Sequence, residues 1–299
     1  MPKFDHSTKN TTKNTKELFK KLNISNKTLS FEEKEKLDKE GYLIIKQDKF
    51  IKYNLKKFKK IIDSLIIKEG KRGGWEGKEK YYKKKKLFES GTYRLGNLIE
   101  KNKIFLRLIT LPKIIAAASH IIRDDIKVCG LNYREPLKGE GEQNYHMDWK
   151  PRKKTTDKFA GIVCMIYLDN INRLNGSTSL IPRTHKKLDW PENFIDISKS
   201  HKNEIRPRLK AASIIIINLN LWHAGKKNIN GKRRRMIMLN IKNRKFPQLL
   251  NYKKYLSKKT KNKLTEEEKY LLAVRKIDPA QISNSIGVGK YYKKSFVKN

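Results

Sequence analysis

The chain has 299 residues, with 71 Lys or Arg against 30 Asp or Glu and a formal net charge of +41. That length suits one large domain or two small ones, and the hydrophobic 37 % is gathered in runs such as 162–168 and 214–217, which argues against a disordered chain. Cys129 and Cys164 are the only cysteines and both sit in apolar stretches, which excludes a disulfide framework or a CxxC metal site, and no apolar run approaches the ~20 residues of a membrane span.

The N-terminus carries no apolar segment of the secretory kind, so the expected setting is cytoplasmic and reducing. The basic charge has two explanations. It can mark a nucleic-acid or other anionic partner. It can also be compositional drift, since Lys, Asn and Ile share A/T-rich codons and the lysines run the whole length of the chain, densest at 83–86 and 253–263. Drift is the preferred explanation.

Residues 1–29 are polar and read as a loosely ordered segment. Ser30 and Glu33 form a capping box that opens a helix, Gly41 ends it, and residues 42–45 follow as a strand. Apolar residues from Phe50 to Ile66 recur at helical spacing, with lysines on the other face. Residues 70–90 are rich in Gly and Lys and read as a long loop that could serve as a lid. Another helix is expected over about 113–122.

The character then changes. Strand-like segments fall at 127–133, 159–168, 177–181, 213–221 and 234–241, punctuated by Asn175-Gly176 and Asn230-Gly231 turns. Short strands with long connections point to a jelly roll. Beyond Lys245 the chain turns helical and very basic until Pro279.

The chemistry centres on His146-Met147-Asp148. In an extended segment residues i and i+2 face the same way, so both side chains can meet one metal ion. Alone the motif is weak in a chain with six histidines. His223, closing the apolar 214–221 run, completes two His and a carboxylate, the set that suits Fe(II) with open positions, whereas structural zinc sites close all four. Arg234 opens the next strand after the Asn230-Gly231 turn, placed to hold a carboxylate by a two-pronged ion pair. Ordinary explanations exist for each residue: a strand-end His is often only hydrogen-bonded, Asp148 could be a loop carboxylate, and Arg233–Arg235 a solvated run. The ordered set is what argues for a site.

At these residues the chain resembles the phytanoyl-CoA dioxygenase family. The resemblance is carried by residues 37–45 (LDKEGYLII), 144–148 (NYHMD), 168–185 (LDNINRLNGSTSLIPRTH) and 221–228 (LWHAGKKN), with Arg234 at the family's arginine spacing, and it covers roughly 35–245. It implies a double-stranded β-helix, mainly β with flanking helices (α+β), over residues 30–245 with its core at about 127–245; outside the resemblance, the residues themselves suggest a basic helical extension over 246–299. It further implies Fe(II) on His146, Asp148 and His223, 2-oxoglutarate anchored by Arg234 with Met165 and Leu131 beside it, O2 as oxidant and ascorbate as a candidate reductant. The retained Asp148 points to hydroxylation rather than halogenation, with release of succinate and CO2. Departures are Ala212-Ser213 where the family often has Gly-Asp, Arg183 in place of the Gly of Pro-Gly-Ser-His, and Met165 where an aromatic residue can occur. Arg183 and the 70–90 loop hint at an anionic small-molecule substrate; an oxygenase acting on nucleic acid and a non-catalytic metal-binding jelly roll are the alternatives.

Overall fold

A computed structural model describes residues 11–70 and 91–278. The expected lid over 70–90 and the stretch beyond Pro279 lie almost wholly outside the described residues.

The N-terminal third supplies helices and one edge strand: α1 (Thr15–Lys21), α2 (Phe31–Glu40), β1 (Tyr42–Ile45), α3 (Lys49–Tyr53) and α4 (Leu55–Glu69). Helix α2 begins with the expected capping box, Ser30 Oγ accepting from Glu33 N and Glu33 from Ser30 N, and ends at Gly41 with φ +81°. The single helix expected over 50–67 is two, α3 ending at Asn54, whose side-chain amide folds back to donate to Phe50 O at 2.9 Å, and α4 starting at Leu55. After β2 (Thr92–Leu95) and three short helical segments (Leu98–Lys101, Lys103–Phe105 and Leu106–Ile109) comes α5 (Pro112–Ile122), opened by proline and almost wholly buried. Among the described residues no single helix is long and apolar enough to cross a membrane.

Strands β3 (Ile126–Pro136), β4 (Gly161–Tyr167), β6 (Ile214–Asn218) and β8 (Met236–Asn243) join β1 and β2 in one antiparallel sheet, ordered β1-β6-β4-β8-β3-β2. Facing it is a smaller sheet of β5 (Ser179–Leu180) and β7 (His223–Ala224), extended by bridges His146 to His223 and Leu180 to Ile205. This is a double-stranded β-helix with flanking helices.

Period-two alternation sorts the large sheet's side chains onto two faces. Ile162, Cys164, Ile166, Ile214, Ile216, Ile237, Leu239 and Ile241 pack with the helices, while Val163, Met165, Tyr167, Ile215, Ile217 and Met236 form a second cluster inside the barrel. A β-bulge between Val128 and Gly130 changes the alternation in β3. Leu131 therefore pairs with Leu239 and falls in the helix-side core, which corrects its expected place beside the cosubstrate; Asn132, opposite Met238, takes the inner face.

Two terminal segments also differ from expectation. Residues 11–29 are not loose: Asn14 caps α1, and Leu18, Ile24 and Leu29 are buried in the main core. Thr15 is tied to Tyr270 Oη at 3.0 Å and to Asp125 at 2.8 Å, so this segment docks on the C-terminal part of the chain. There Tyr252, Leu256, Leu264 and the helix α6 (Glu266–Leu272) join the same core. Their apolar residues are spaced among polar ones, and long-range packing rather than composition orders them.

Gly41 joins two demands: a left-handed φ, and closeness to His185, whose Nδ1 would lie 2.4 Å from an added Cβ. Gly41→Ala is expected to lower unfolding free energy by about 1–3 kcal/mol in urea denaturation; an unchanged midpoint would contradict this packing.

Candidate metal centre

His146 and His223 are brought together by backbone. Each donates its N–H to the other's carbonyl at 3.0 Å, an antiparallel bridge that sets both side chains on one face. The strand-end position expected for His223 is revised here. Strand β6 stops at Asn218, a turn closed by Leu221 N to Asn218 O (2.9 Å) crosses to the small sheet, and His223 opens β7. Asp148, two residues after His146, is fixed by its N–H on Leu219 O at 2.8 Å.

The three side chains converge. His146 Nε2 is 3.9 Å from Asp148 Oδ1, His223 Nε2 is 3.7 Å from Asp148 Oδ2, and the imidazole centroids are 4.3 Å apart. The donor atoms all lie within 4.8 Å of one another. His146 Nδ1 faces Asn144 O at 2.8 Å and His223 Nδ1 faces Leu221 O at 3.0 Å. With Nδ1–H donating to those carbonyls, both rings present a bare Nε2 to the common point, the tautomer a ligating histidine needs. Burial, and then the neighbouring His146, hold the His223 imidazole below its ordinary pKa, which keeps it neutral and able to ligate. Three ligands on one face of an octahedron at ~2.1 Å bond length stand about 3 Å apart. Slight inward side-chain rotation reaches that spacing, so the residues fit a facial metal set.

Arg234 lies two residues before β8, fully buried, with Nη1 donating to Gly176 O. Burial raises the pKa of Tyr167 and the Arg234 charge opposes that rise; Tyr167 is an inner-face residue whose hydroxyl bonds Thr178 Oγ1 at 2.8 Å and lies 3.6 Å from Met165 Sδ. Met165 thus shares the barrel interior with Arg234, and Leu131 does not. Its neighbours turn the other way: Arg233 pairs with Glu135 and Asp63, Arg235 with Asp63 and Asp169. Arg183 is ion-paired with Glu40 at 2.9 Å at the end of α2.

Sequence reasoning passed over Arg134 and Tyr167. Arg134 is buried opposite Met236, donates Nη2 to Gly141 O at 3.0 Å, and contributes to the lowered pKa of His223. The bulge in β3 hid its inward orientation. Tyr167 was concealed by apolar neighbours, although alternation from Met165 places it on the same face.

A jelly roll that presents two His and one carboxylate as a facial set, with positions left for other ligands, defines a non-haem iron oxygenase. The phytanoyl-CoA dioxygenase (PhyH) family profile matches residues 37–236, about two thirds of the chain. The chain belongs to that family.

Solved structures with this fold include HygX from Streptomyces hygroscopicus with nickel, 2-oxoglutarate and hygromycin B bound (14 % identity, 72 % of this chain and 88 % of that one, TM-score 0.55). EctD from S. alaskensis with bound Fe aligns at 15 % identity over 75 % of this chain and 80 % of that one, TM-score 0.59. The carbocyclase SnoK from nogalamycin biosynthesis aligns at 14 % identity over 73 % and 85 %, TM-score 0.55. By sequence, the uncharacterized protein Mb1539 of Mycobacterium bovis is 26 % identical over 108 residues, 36 % of this chain and 37 % of that protein. The match thus spans little more than a third of that relative's length.

His185 stands apart from the metal triad. It is buried, its Nε2 lies 3.2 Å from Asp38 O, and burial pushes its pKa down to about 4 against the opposing hydrogen bond. A histidine held neutral in the fold stabilises it above the unfolded value of about 6.5, and that stability is lost as pH falls towards 4. Between pH 7 and pH 4.5 the wild type should lose about 2–3 kcal/mol more unfolding free energy than His185→Gln. Parallel pH profiles of the two would refute this placement. For the triad, replacing His146, Asp148 or His223 by Ala should weaken Fe(II) binding, read by anaerobic calorimetry, more than about 100-fold.

Proposed function

We propose that this protein is an Fe(II)- and 2-oxoglutarate-dependent dioxygenase that hydroxylates a small organic substrate. The observations that support the reading are the His146, Asp148 and His223 cluster and Arg234, fully buried just before β8 with its charge felt by the inner-face Tyr167.

His146, Asp148 and His223 would hold the iron. When bound, iron and 2-oxoglutarate together supply oxygen activation, coupled to decarboxylation that yields succinate and CO2. The protein's part is placement. The Nδ1–H bonds to Asn144 O and Leu221 O fix both imidazoles, and the Asp148 backbone bond to Leu219 O sets the carboxylate. Arg234 is suited to grip the far carboxylate of the cosubstrate with two parallel N–H bonds, and its charge is felt by Tyr167, whose hydroxyl bonds Thr178 Oγ1. Val163, Met165, Ile215 and Ile217 wall the interior and keep it dry, which strengthens those ion pairs. The solved neighbours with bound Fe or 2-oxoglutarate support the cofactor assignment.

Anaerobic addition of Fe(II) and then 2-oxoglutarate to the apoprotein should produce a visible charge-transfer band that needs both. Arg234→Ala should raise the 2-oxoglutarate concentration for half-development about 100-fold, the equivalent of roughly 3 kcal/mol. Arg234→Lys should recover only part of it, since an ammonium lacks the planar fork. A folded wild type that binds iron but shows no band overturns the reading and leaves a metal-binding jelly roll.

A further inference from the structure

Strand β8 carries a second buried cation beyond Arg234. Lys242 lies on the inner face by the same alternation as Met236, opposite Gly161 on one side and Lys127 on the other. Its residue is only 4 % exposed. Among the described residues its ammonium makes no hydrogen bond or ion pair; it sits 4.1 Å from the centroid of the Trp149 ring. Trp149 is braced by Phe246, with ring centroids 4.9 Å apart.

Lys242 belongs to the metal end of the barrel. Asp148 N bonds Leu219 O, Leu219 N bonds Gly161 O, and Gly161 is the register partner of Lys242, so one lateral row joins the carboxylate to the lysine. The Asp148 charge reaches Lys242 and Trp149 directly follows Asp148 in the chain. Along β8, then, Arg234 precedes the strand at one end and Lys242 closes the inner face at the other.

A buried ammonium is costly unless an anion meets it. Asp148 is the one carboxylate among the described residues whose charge reaches Lys242, and iron would claim that charge in the working enzyme. The double charge of 2-oxoglutarate is met by the iron and Arg234. Lys242 is left over, with Arg134 a further buried cation in the same interior. A ring face offsets part of that cost but supplies no anionic charge.

We propose that Lys242, with the Trp149 ring beside it, is a substrate subsite for a small molecule bearing a carboxylate or phosphate group. This rests on the iron and 2-oxoglutarate reading of the same barrel. The substrate's anionic group lies against Lys242 and its C–H to be oxidised is held between that group and the iron. The lysine is a point charge, so it selects for anionic oxygen without the bidentate preference of an arginine.

The test uses the full chain, loaded anaerobically with Fe(II) and saturating 2-oxoglutarate. Three probes are titrated: 4-fluorobenzoate, 4-fluorophenyl phosphate and the neutral isostere 4-fluorobenzamide. Binding is read by the 19F relaxation that the paramagnetic iron imposes, which also reports proximity to the metal. One or both anions should bind saturably and the amide at least about tenfold more weakly. The tighter anion identifies the group. Lys242→Met should lose that preference and Lys242→Arg should keep it, both retaining the charge-transfer band. The subsite is overturned if no anion binds wild type, if the amide binds equally, if Lys242→Met binds the anions unchanged, or if added 2-oxoglutarate displaces them. Should Lys242→Met not fold, the comparison of charged and neutral probes on wild type and Lys242→Arg still decides. Loss of the band in wild type is a separate outcome and strikes the oxygenase reading itself.

Discussion

The reciprocal backbone bridge between His146 and His223 is the constraint on which the site depends. Two bonds of 3.0 Å place the imidazoles side by side before any metal arrives. The bridge is itself anchored. Tyr145 Oη bonds Ser179 Oγ at 2.7 Å and also Glu204, Ser179 Oγ donates to Glu204 at 2.8 Å, and Arg206 closes the set on Glu204 at 2.9 Å. The segment carrying the first histidine is therefore stitched to β5 and to the chain beyond it. Side chains supported this way keep their geometry because their neighbours' rotamers are locked.

The large sheet separates two environments that the chemistry needs apart. One face packs α5 and the C-terminal helix into a continuous apolar core; the other lines the barrel. Since side chains alternate, each strand serves both, and β8 does so most fully: Ile237, Leu239 and Ile241 stabilise the fold while Met236, Asn240 and Lys242 are offered to the interior. The bulge at Cys129 is the one break in the pattern. It moves Leu131 to the helix side and sends Asn132 and Arg134 inward, so a single extra residue decides which groups of β3 meet the site.

Much of this was legible because local rules agreed with the global fold. The capping box at Ser30, the stop at Gly41, the apolar run at 162–168 read as a strand and the i, i+2 spacing of His146 and Asp148 each depend only on near neighbours in sequence. What escaped depends on distant partners. Residues 11–29 look polar, and their order comes from Tyr270, Asp125 and Arg275 far along the chain. The bulge has no sequence mark. The two departures from the family's glycines are informative in another way: Ala212 at φ 70° and Arg183 at φ 71° both hold a left-handed backbone. The turns survived the loss of glycine at a conformational cost of about 1–2 kcal/mol each, so the surrounding structure dictates them.

The run Arg233, Arg234, Arg235 shows how alternation sorts a basic stretch into outward ion pairs and one buried cation. Taken as composition, three arginines in a chain of +41 mean little. In the fold the outer two are held by acids: Arg233 by Glu135 at 2.5 Å and Asp63 at 2.9 Å, Arg235 by Asp169 at 2.9 Å and Asp63 at 3.0 Å. Glu135 is fixed in turn by Tyr133 Oη at 2.5 Å, and Asp63 belongs to α4. These pairs set the register of the segment entering β8. A slip of one residue would drive an acid-bound arginine into the apolar barrel and expel Arg234 from it, a change opposed both by desolvation and by the lost ion pairs. The outward arginines thus matter less for surface charge than for forcing the middle one inward, where a single guanidinium can be held dry beside Tyr167.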